Sequence, residues 1–166
     1  MGVYGSLAGA SKDPPFVQHN LNMDPREFQT LASTLVNGKT PAEIRTAISR
    51  AYYATHNVGV EFLSGLGFRI PKNASGHGEV WNCLSNSGDK EIMNVGSKLQ
   101  TLHGMRLRAD YRLDKKEVEN QKTAHGVVKD AKKMIEILDI NFSEQKKTEL
   151  IKAIQDWERK VSGGKS

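Results

Sequence analysis

The stretch AISRAYYA at positions 47–54 lies inside a longer segment, from Thr40 to Gly65, whose apolar residues recur with helical spacing. Thr40, Pro41 and Glu43 form a typical helix beginning, because threonine caps the first turn and glutamate completes a capping box. The apolar stripe then advances in steps of four and three residues through Ile44, Ile48, Ala51, Thr55, Val58 and Phe62. The segment predicts a helix of roughly 35 Å, long enough to span a domain.

The flanking sequence carries similar signals, and no segment alternates polar and apolar residues as a strand does. Capping residues, helix-ending glycines and apolar stripes predict helices over 24–38, 40–65, 78–84, 90–111, 115–138 and 141–161. Short connections favour antiparallel neighbours. The expected fold class is all-α, an antiparallel up-and-down helical bundle of four to five long helices plus a short helix.

The chain divides into four parts. Residues 1–22 are rich in Gly, Ser and Pro and are predicted to be a flexible N-terminal lead-in. The helical bundle is predicted at 23–140, an additional C-terminal helix at 141–162 and a tail at 163–166.

Composition narrows the function classes. A chain of 166 residues fits one domain, and a net charge of +5 permits a polyanionic partner such as RNA. No apolar run of about 18 residues predicts a membrane span. The single cysteine, Cys83, fits a cytoplasmic location and, on a short apolar helix, is interpreted as a buried hydrophobic residue. Phosphate-loop, dinucleotide-binding and His-Glu-x-x-His motifs are missing from the sequence, so neither a cofactor nor a metal is expected.

One face of the helix predicted at 90–111 carries His103, Arg106 and Asp110, which are three and four residues apart. In a functional interpretation Arg106 binds a phosphate, His103 moves a proton and Asp110 orients one of them. In the alternative interpretation Arg106 pairs with Asp110 as part of a surface network, and His103 covers the edge of the core.

The helix at 40–65 adds Arg50 and His56, which fit an Arg-x5-His pattern. Their side chains point about 120° apart, so a joint role would need a kink or a second subunit. The alternative is that Arg50 reaches Asp110 and fixes the bundle.

Tyr52 and Tyr53 are predicted to be structural, with Arg106 or Asp110 as partners for a buried hydroxyl. His77 is predicted near a helix start that Ser75 caps, facing solvent unless it has a role at the site.

These segments resemble a known family. ISRAYYA at 48–54 resembles the Ser-x-Ala-Tyr-Tyr-Ala signature of HEPN-domain proteins, and His77-Gly78 resembles the His-x-Gly segment that follows it. RLRADY at 106–111 resembles the family's Arg-x-x-Ala-Asp-Tyr segment. The resemblance covers roughly residues 25–140.

The resemblance implies an all-α bundle that often dimerises. Many HEPN proteins are metal-independent endoribonucleases of toxin or antiviral systems, in which the RNA's own 2′-hydroxyl makes the cut. Others are inactive modules that bind RNA or a protein partner, often a nucleotidyltransferase. In active members an Arg-x4–6-His motif on the later core helix does the chemistry, and two motifs meet across a dimer.

This sequence departs from that motif, because the corresponding positions after Arg106 are Tyr111, Arg112 and Leu113. His103 and His77 are the possible substitutes. The catalytic candidates are Arg106, His103, Asp110, Arg50 and His56. The RNA-binding candidates are Arg108, Arg112, His77 and Tyr111.

The expected function is a homodimeric HEPN-like protein that acts on or with RNA, as a metal-independent endoribonuclease of a defence or toxin–antitoxin system. The alternative is a non-catalytic dimerising module that binds a nucleotidyltransferase or another protein partner.

Overall fold

A computed structural model describes residues 23–163, so the predicted lead-in at 1–22 and the last three residues of the tail lie outside it. Within this range all regular structure is helical, which confirms the all-α prediction. The helices are α1 (Arg26–Leu35), α2 (Pro41–Gly65), α3 (Ser75–Ser85), α4 (Lys90–Tyr111), α5 (Gln121–Leu138) and α6 (Glu144–Gly163), with one 3₁₀ turn (Lys116–Glu119). No described helix has a stretch that is both long and apolar enough to cross a membrane.

The bundle is built around α2, which packs against α1, α3, α4 and α5. The predicted capping box is present: Thr40 accepts from the Glu43 amide, and the Glu43 carboxylate accepts from the Thr40 amide. Ala47, Ala51 and Ala54 are fully buried along α2. Their small side chains let neighbouring helices approach closely, so α2 forms the centre of the core.

Several predicted helix boundaries were wrong, including the end of α1, which is at Leu35 rather than Gly38, and the start of α6, which is at Glu144 rather than Asn141. α3 begins at Ser75 rather than at Gly78, and Ser75 does not cap it; instead Asn73 accepts from the Ser75 amide and hydroxyl. The helix predicted at 115–138 is divided, because Asn120 caps α5 by accepting from the Thr123 amide. Asparagine side chains readily replace a backbone partner in this way and start a new helix.

The C-terminal helix α6 packs on the bundle through its side chains. Leu150 and Ile154 are buried, as predicted, and Lys146 forms a 2.7 Å ion pair with Asp89 at the start of α4. Val161, predicted on the inner edge, is 47% exposed, so the packed face ends before it.

A buried arginine on α2 joins that helix to the end of α4. Arg45 forms a 2.7 Å ion pair with Glu119. Its guanidinium also donates to main-chain carbonyls at and just beyond the end of α4, those of Arg108, Ala109, Arg112, Leu113 and Lys115. The last carbonyls of a helix have no partner within it, so Arg45 supplies donors where α4 needs them. This role of Arg45 was not predicted from the sequence.

We expect Arg45→Met to destabilise the fold by about 3–5 kcal/mol, because it leaves Glu119 and several carbonyls without their donor. Urea unfolding measures the change. Arg159→Met is the matched control, since Arg159 is exposed and pairs with Asp156 on the same helix; its effect should stay within about 0.5 kcal/mol. Equal losses in the two variants would contradict the role of Arg45.

Two glycines of α4 give a second matched pair. A Cβ on Gly96 would lie 2.5 Å from the Ser85 amide nitrogen and 2.8 Å from the Trp81 carbonyl oxygen, whereas one on Gly104 would meet nothing within 4 Å. Gly96→Ala should therefore cost about 1–3 kcal/mol by forcing α3 away from α4. Gly104→Ala should add about 0.5–1 kcal/mol through helix propensity alone. Thermal unfolding of both variants checks the difference, and a neutral Gly96→Ala would show that α3 moves freely.

Candidate active site

Three histidines that are distant in sequence meet where α2, α3 and α4 converge. The ring centres of His56 and His77 are 4.5 Å apart, and those of His77 and His103 are 5.5 Å apart. The Tyr52 ring packs against the cluster, with its centre 5.2 Å from that of His103. His77 is half-buried within this group rather than facing solvent. We call His56, His77 and His103 the histidine cluster.

Tyr52 is fully buried, as its predicted structural role requires. Its hydroxyl lies 2.6 Å from Nδ1 of His77, whereas Arg106 or Asp110 had been expected as its partner. That expectation was wrong because Tyr52 faces the start of α3. Burial raises the pKa of the Tyr52 hydroxyl well above its ordinary value, so the hydroxyl stays protonated. The hydrogen bond fixes the His77 ring and leaves Nε2 as its other polar atom.

The histidine cluster is held in its neutral form. Burial, followed by the proximity of His77 and His103, lowers the pKa of His56 to about 4. Burial also lowers the pKa values of His77 and His103, and the charge of Arg106 acts in the same direction on both. His56 is only 9% exposed, and its Nδ1 has no hydrogen-bond partner. A neutral imidazole can accept a proton, as a general base requires, at a nitrogen that an external molecule reaches. The Nδ1 of His56 is enclosed by the protein, which leaves Nε2 for this role.

Arg106 lies between two tyrosine rings. It donates to the hydroxyl of Tyr53 at 2.5 Å and to that of Tyr111 at 3.3 Å, which confirms the expected partner of Tyr53. Its Nε lies 2.8 Å from a carboxylate oxygen of Asp110, but the N–H group is not directed at that oxygen. The same oxygen accepts from the Ser49 hydroxyl at 3.1 Å. Arg106 is therefore positioned by neighbours on both α2 and α4.

The three candidates on α4 divide between two groups of contacts. Arg106 and Asp110 form the predicted ion pair, whereas the His103 ring packs 5.0 Å from that of Trp81 on α3. Trp81 and Ser49 were not predicted to lie at the site from the sequence. The helical spacing of residues 103–110 identified the face, but could not show which neighbouring helix each residue meets.

Arg50 does not reach Asp110, so the predicted cross-link was wrong. Its guanidinium lies 5.0 Å from the Phe28 ring centre and 5.1 Å from that of Tyr53, as in cation–π contacts. Within residues 23–163 it forms no ion pair. Arg50 and His56 contact different groups, in agreement with their divergent directions along α2.

The RNA-binding candidates at the end of α4 are exposed. Arg108 and Arg112 face solvent, and Arg112 lies 3.6 Å from Asp114. Tyr111 is 65% exposed while its hydroxyl contacts Arg106. These groups border the Arg106 side of the site, whereas the fourth candidate, His77, belongs to the histidine cluster.

A cleft of about 680 Å³ opens beside the histidine cluster. It lies between the second half of α2 and the connection to α3, and both His56 and His77 line it. We call it the histidine cleft. It gives an external molecule access to two of the three imidazoles.

Across residues 23–163, the group whose geometry could hold a metal ion is Glu79, Cys83 and Glu158, with ligand atoms within 4.8 Å of one another. Cys83 is buried, as predicted, and its thiol lies 3.7 Å from a Glu79 carboxylate oxygen. Burial, with the two nearby carboxylates, raises the pKa of the Cys83 thiol to about 12, so it is protonated at neutral pH. The histidine cluster does not form such a group.

We expect acid to destabilise the protein through His56. The folded state binds its proton only near pH 4, whereas the unfolded chain binds one near pH 6.5. The stability from burying neutral His56 is therefore complete above pH 6.5 and is lost as pH falls through about 4. NMR titration of the His56 ring, repeated in urea, measures both pKa values. Equal values would contradict the burial of a neutral imidazole.

The three segments that resemble HEPN proteins meet at this site, since 48–54 lie on α2, 77–78 at the start of α3 and 106–111 at the end of α4. Comparison of the chain with protein-family models, curated proteins and solved structures gives no significant match. Membership of the HEPN family thus stays a prediction.

Proposed function

We propose that this protein is a HEPN-like, metal-independent endoribonuclease that acts as part of a cytoplasmic defence or toxin–antitoxin system. The observation that carries the proposal is the neutral histidine cluster, which lies close to Arg106 and borders an open cleft. Arg106 is linked to the cluster by two tyrosines: it donates to Tyr53, whose ring centre lies 5.4 Å from that of Tyr52, and all three histidine rings lie within 5.7 Å of the Tyr52 ring. The site thus combines proton carriers with a permanent cation that can bind a phosphate.

The proposed reaction uses the 2′-hydroxyl of the RNA as nucleophile. As this oxygen attacks the adjacent phosphorus, a neutral histidine accepts its proton, and the bond from phosphorus to the 5′-oxygen breaks. The leaving oxygen takes a proton from water or from the histidine that has just been protonated, which returns that histidine to its neutral form, so the products are a 2′,3′-cyclic phosphate and a 5′-hydroxyl. Arg106 would stabilise the charge that develops on the phosphate oxygens.

The roles follow from the contacts. We assign the base to His56, because its buried neutral ring lines the cleft. Its Nδ1 is enclosed by the protein, so Nε2 is the nitrogen that would accept the proton. His77, whose Nδ1 is engaged by Tyr52, keeps Nε2 for a hydrogen bond to the leaving oxygen; since it is neutral, it is not itself the acid. His103 positions His77 by ring contact, and Asp110 positions Arg106.

The proposal predicts RNA cleavage that persists in EDTA. Arg106→Ala and His56→Ala should each reduce the cleavage rate by about 10²–10⁴-fold, the usual effect of losing a charge-stabilising or acid–base group. The control is Arg159→Ala, which removes an exposed cation from α6 and should leave the rate unchanged. Arg50→Ala tests whether the Arg-x5-His pair on α2 contributes.

Cleavage is followed on labelled RNA, with circular dichroism to show that each variant is folded. Wild-type cleavage that disappears in EDTA would overturn the metal-independent mechanism. Cleavage that is unchanged in both Arg106→Ala and His56→Ala would overturn the site assignment.

One observation favours the alternative, a dimerising module that binds a nucleotidyltransferase or another protein. Leu107, Tyr111 and Leu113 are all exposed around the end of α4. Exposed apolar side chains that lie close together are a common feature of protein interfaces. The alternative becomes the preferred function if wild-type protein cleaves no RNA in the same assay.

A further inference from the structure

We propose that the histidine cleft binds one unpaired nucleotide next to the phosphate that is cut, with Asn57, Arg69 and Lys72 as its recognition residues. This inference rests on the proposed function and adds a binding subsite to it. Apart from Tyr53 and His77, the residues that line the subsite lie outside the three segments that carry the family resemblance.

The dimensions of the cleft suit a single nucleotide. Its volume of about 680 Å³ falls within the range of roughly 300–1,000 Å³ that is usual for small-molecule sites. A base inside a duplex is stacked and paired, and must leave the stack before it can enter a pocket. A cleft of this size therefore selects an unpaired nucleotide over a helix.

The inner wall offers both surfaces that a nucleobase requires. Val60, Phe68 and Ile70 line it and are half-buried, so they present apolar area against which a base face can pack. Asn57 is also half-buried in this wall, and its side-chain amide can donate to and accept from the edge of a base.

The charges of the cleft suit an anion. None of its lining residues is acidic, and Arg69 and Lys72 lie exposed at its edge. Neither cation forms an ion pair within the described part of the chain, in contrast to Arg112 at the end of α4. Phosphates flanking a bound nucleotide would supply their missing counter-charge.

The cleft also gives access to the proposed catalytic base, His56. His56 is nine-tenths buried, lines the cleft and has an unpartnered Nδ1. A nucleotide held by Asn57, one position along α2, would bring its sugar and phosphate towards the part of the His56 ring that lines the cleft, although Nδ1 itself is enclosed by the protein. The inference is that the cleft determines which phosphodiester reaches the base.

The test is binding of a labelled 2′-O-methyl RNA of about eight nucleotides, a length typical of single-strand sites. The methylated oxygen cannot attack, so binding is measured separately from cleavage. Fluorescence anisotropy compares the single strand with the same strand annealed to its complement. We expect wild type to bind the single strand at least about tenfold more tightly.

Two substitutions test the subsite against matched controls. Asn57→Asp keeps the side-chain shape but places a negative charge in the cleft, and should weaken single-strand binding by about tenfold or more. Asn94→Asp makes the same change on the exposed surface of α4 and should have little effect. The double variant Arg69→Ala/Lys72→Ala should lower the salt dependence of binding by about one to two phosphate contacts, whereas Lys132→Ala/Lys133→Ala on α5 should not.

The result that overturns the inference is equal affinity for single strand and duplex, or unchanged binding in both cleft variants. EDTA-resistant cleavage that depends on Arg106 would then keep the nuclease proposal while the subsite is rejected. If binding depends on the cleft but no RNA is cleaved, the subsite is supported and the nuclease proposal fails.

Discussion

The hydrogen bonds from Arg45 to the end of α4 determine how that helix lies against α2. A guanidinium this deeply buried is stable only when its charge is paired and its N–H groups are hydrogen-bonded. Arg45 therefore strongly favours the one position of α4, relative to α2, that provides these partners. Ser49 and Tyr53 follow at intervals of four residues on the same face of α2, and they contact Asp110 and Arg106 in turn. The position of Arg106 is thus determined by a row of polar contacts between α2 and α4 that begins at Arg45.

Burial at this junction also determines the protonation of the histidine cluster. Burial opposes a positive charge on each of the three imidazoles, and the charge of Arg106 adds to this effect on His77 and His103. A bound phosphate would act in the opposite direction, because its negative charge favours the imidazolium form. Proton uptake by the cluster and anion binding at the site are therefore linked. Because the histidines are neutral before an anion binds, they can accept a proton at neutral pH.

The sequence was sufficient to predict the helices, but not to predict which residues of neighbouring helices contact one another. The bounds of α4 were predicted as observed, since Asp89 caps it and its apolar stripe is regular. The helix at 115–138 was predicted as continuous because Asn120 interrupts the backbone without interrupting the stripe. Likewise, helical spacing could separate Arg50 from His56, but a rotation of about 100° between adjacent residues decided that Ser49 rather than Arg50 contacts Asp110.

For the same reason, the sequence could not show which histidines accompany Arg106 at the candidate active site. A motif of arginine followed by histidine on one helix is readable in sequence, whereas here the histidines whose pKa Arg106 lowers lie on α3 and on an earlier turn of α4, and the α2 histidine joins them by ring contact. What general acid–base catalysis requires is proximity and protonation state, which are set by tertiary packing. The missing histidine after Arg106 therefore does not separate the arginine from the imidazoles. Activity therefore depends on the contacts that hold α3 against α2 and α4 rather than on a sequence motif. One of these contacts is the hydrogen bond between the Tyr52 hydroxyl and His77.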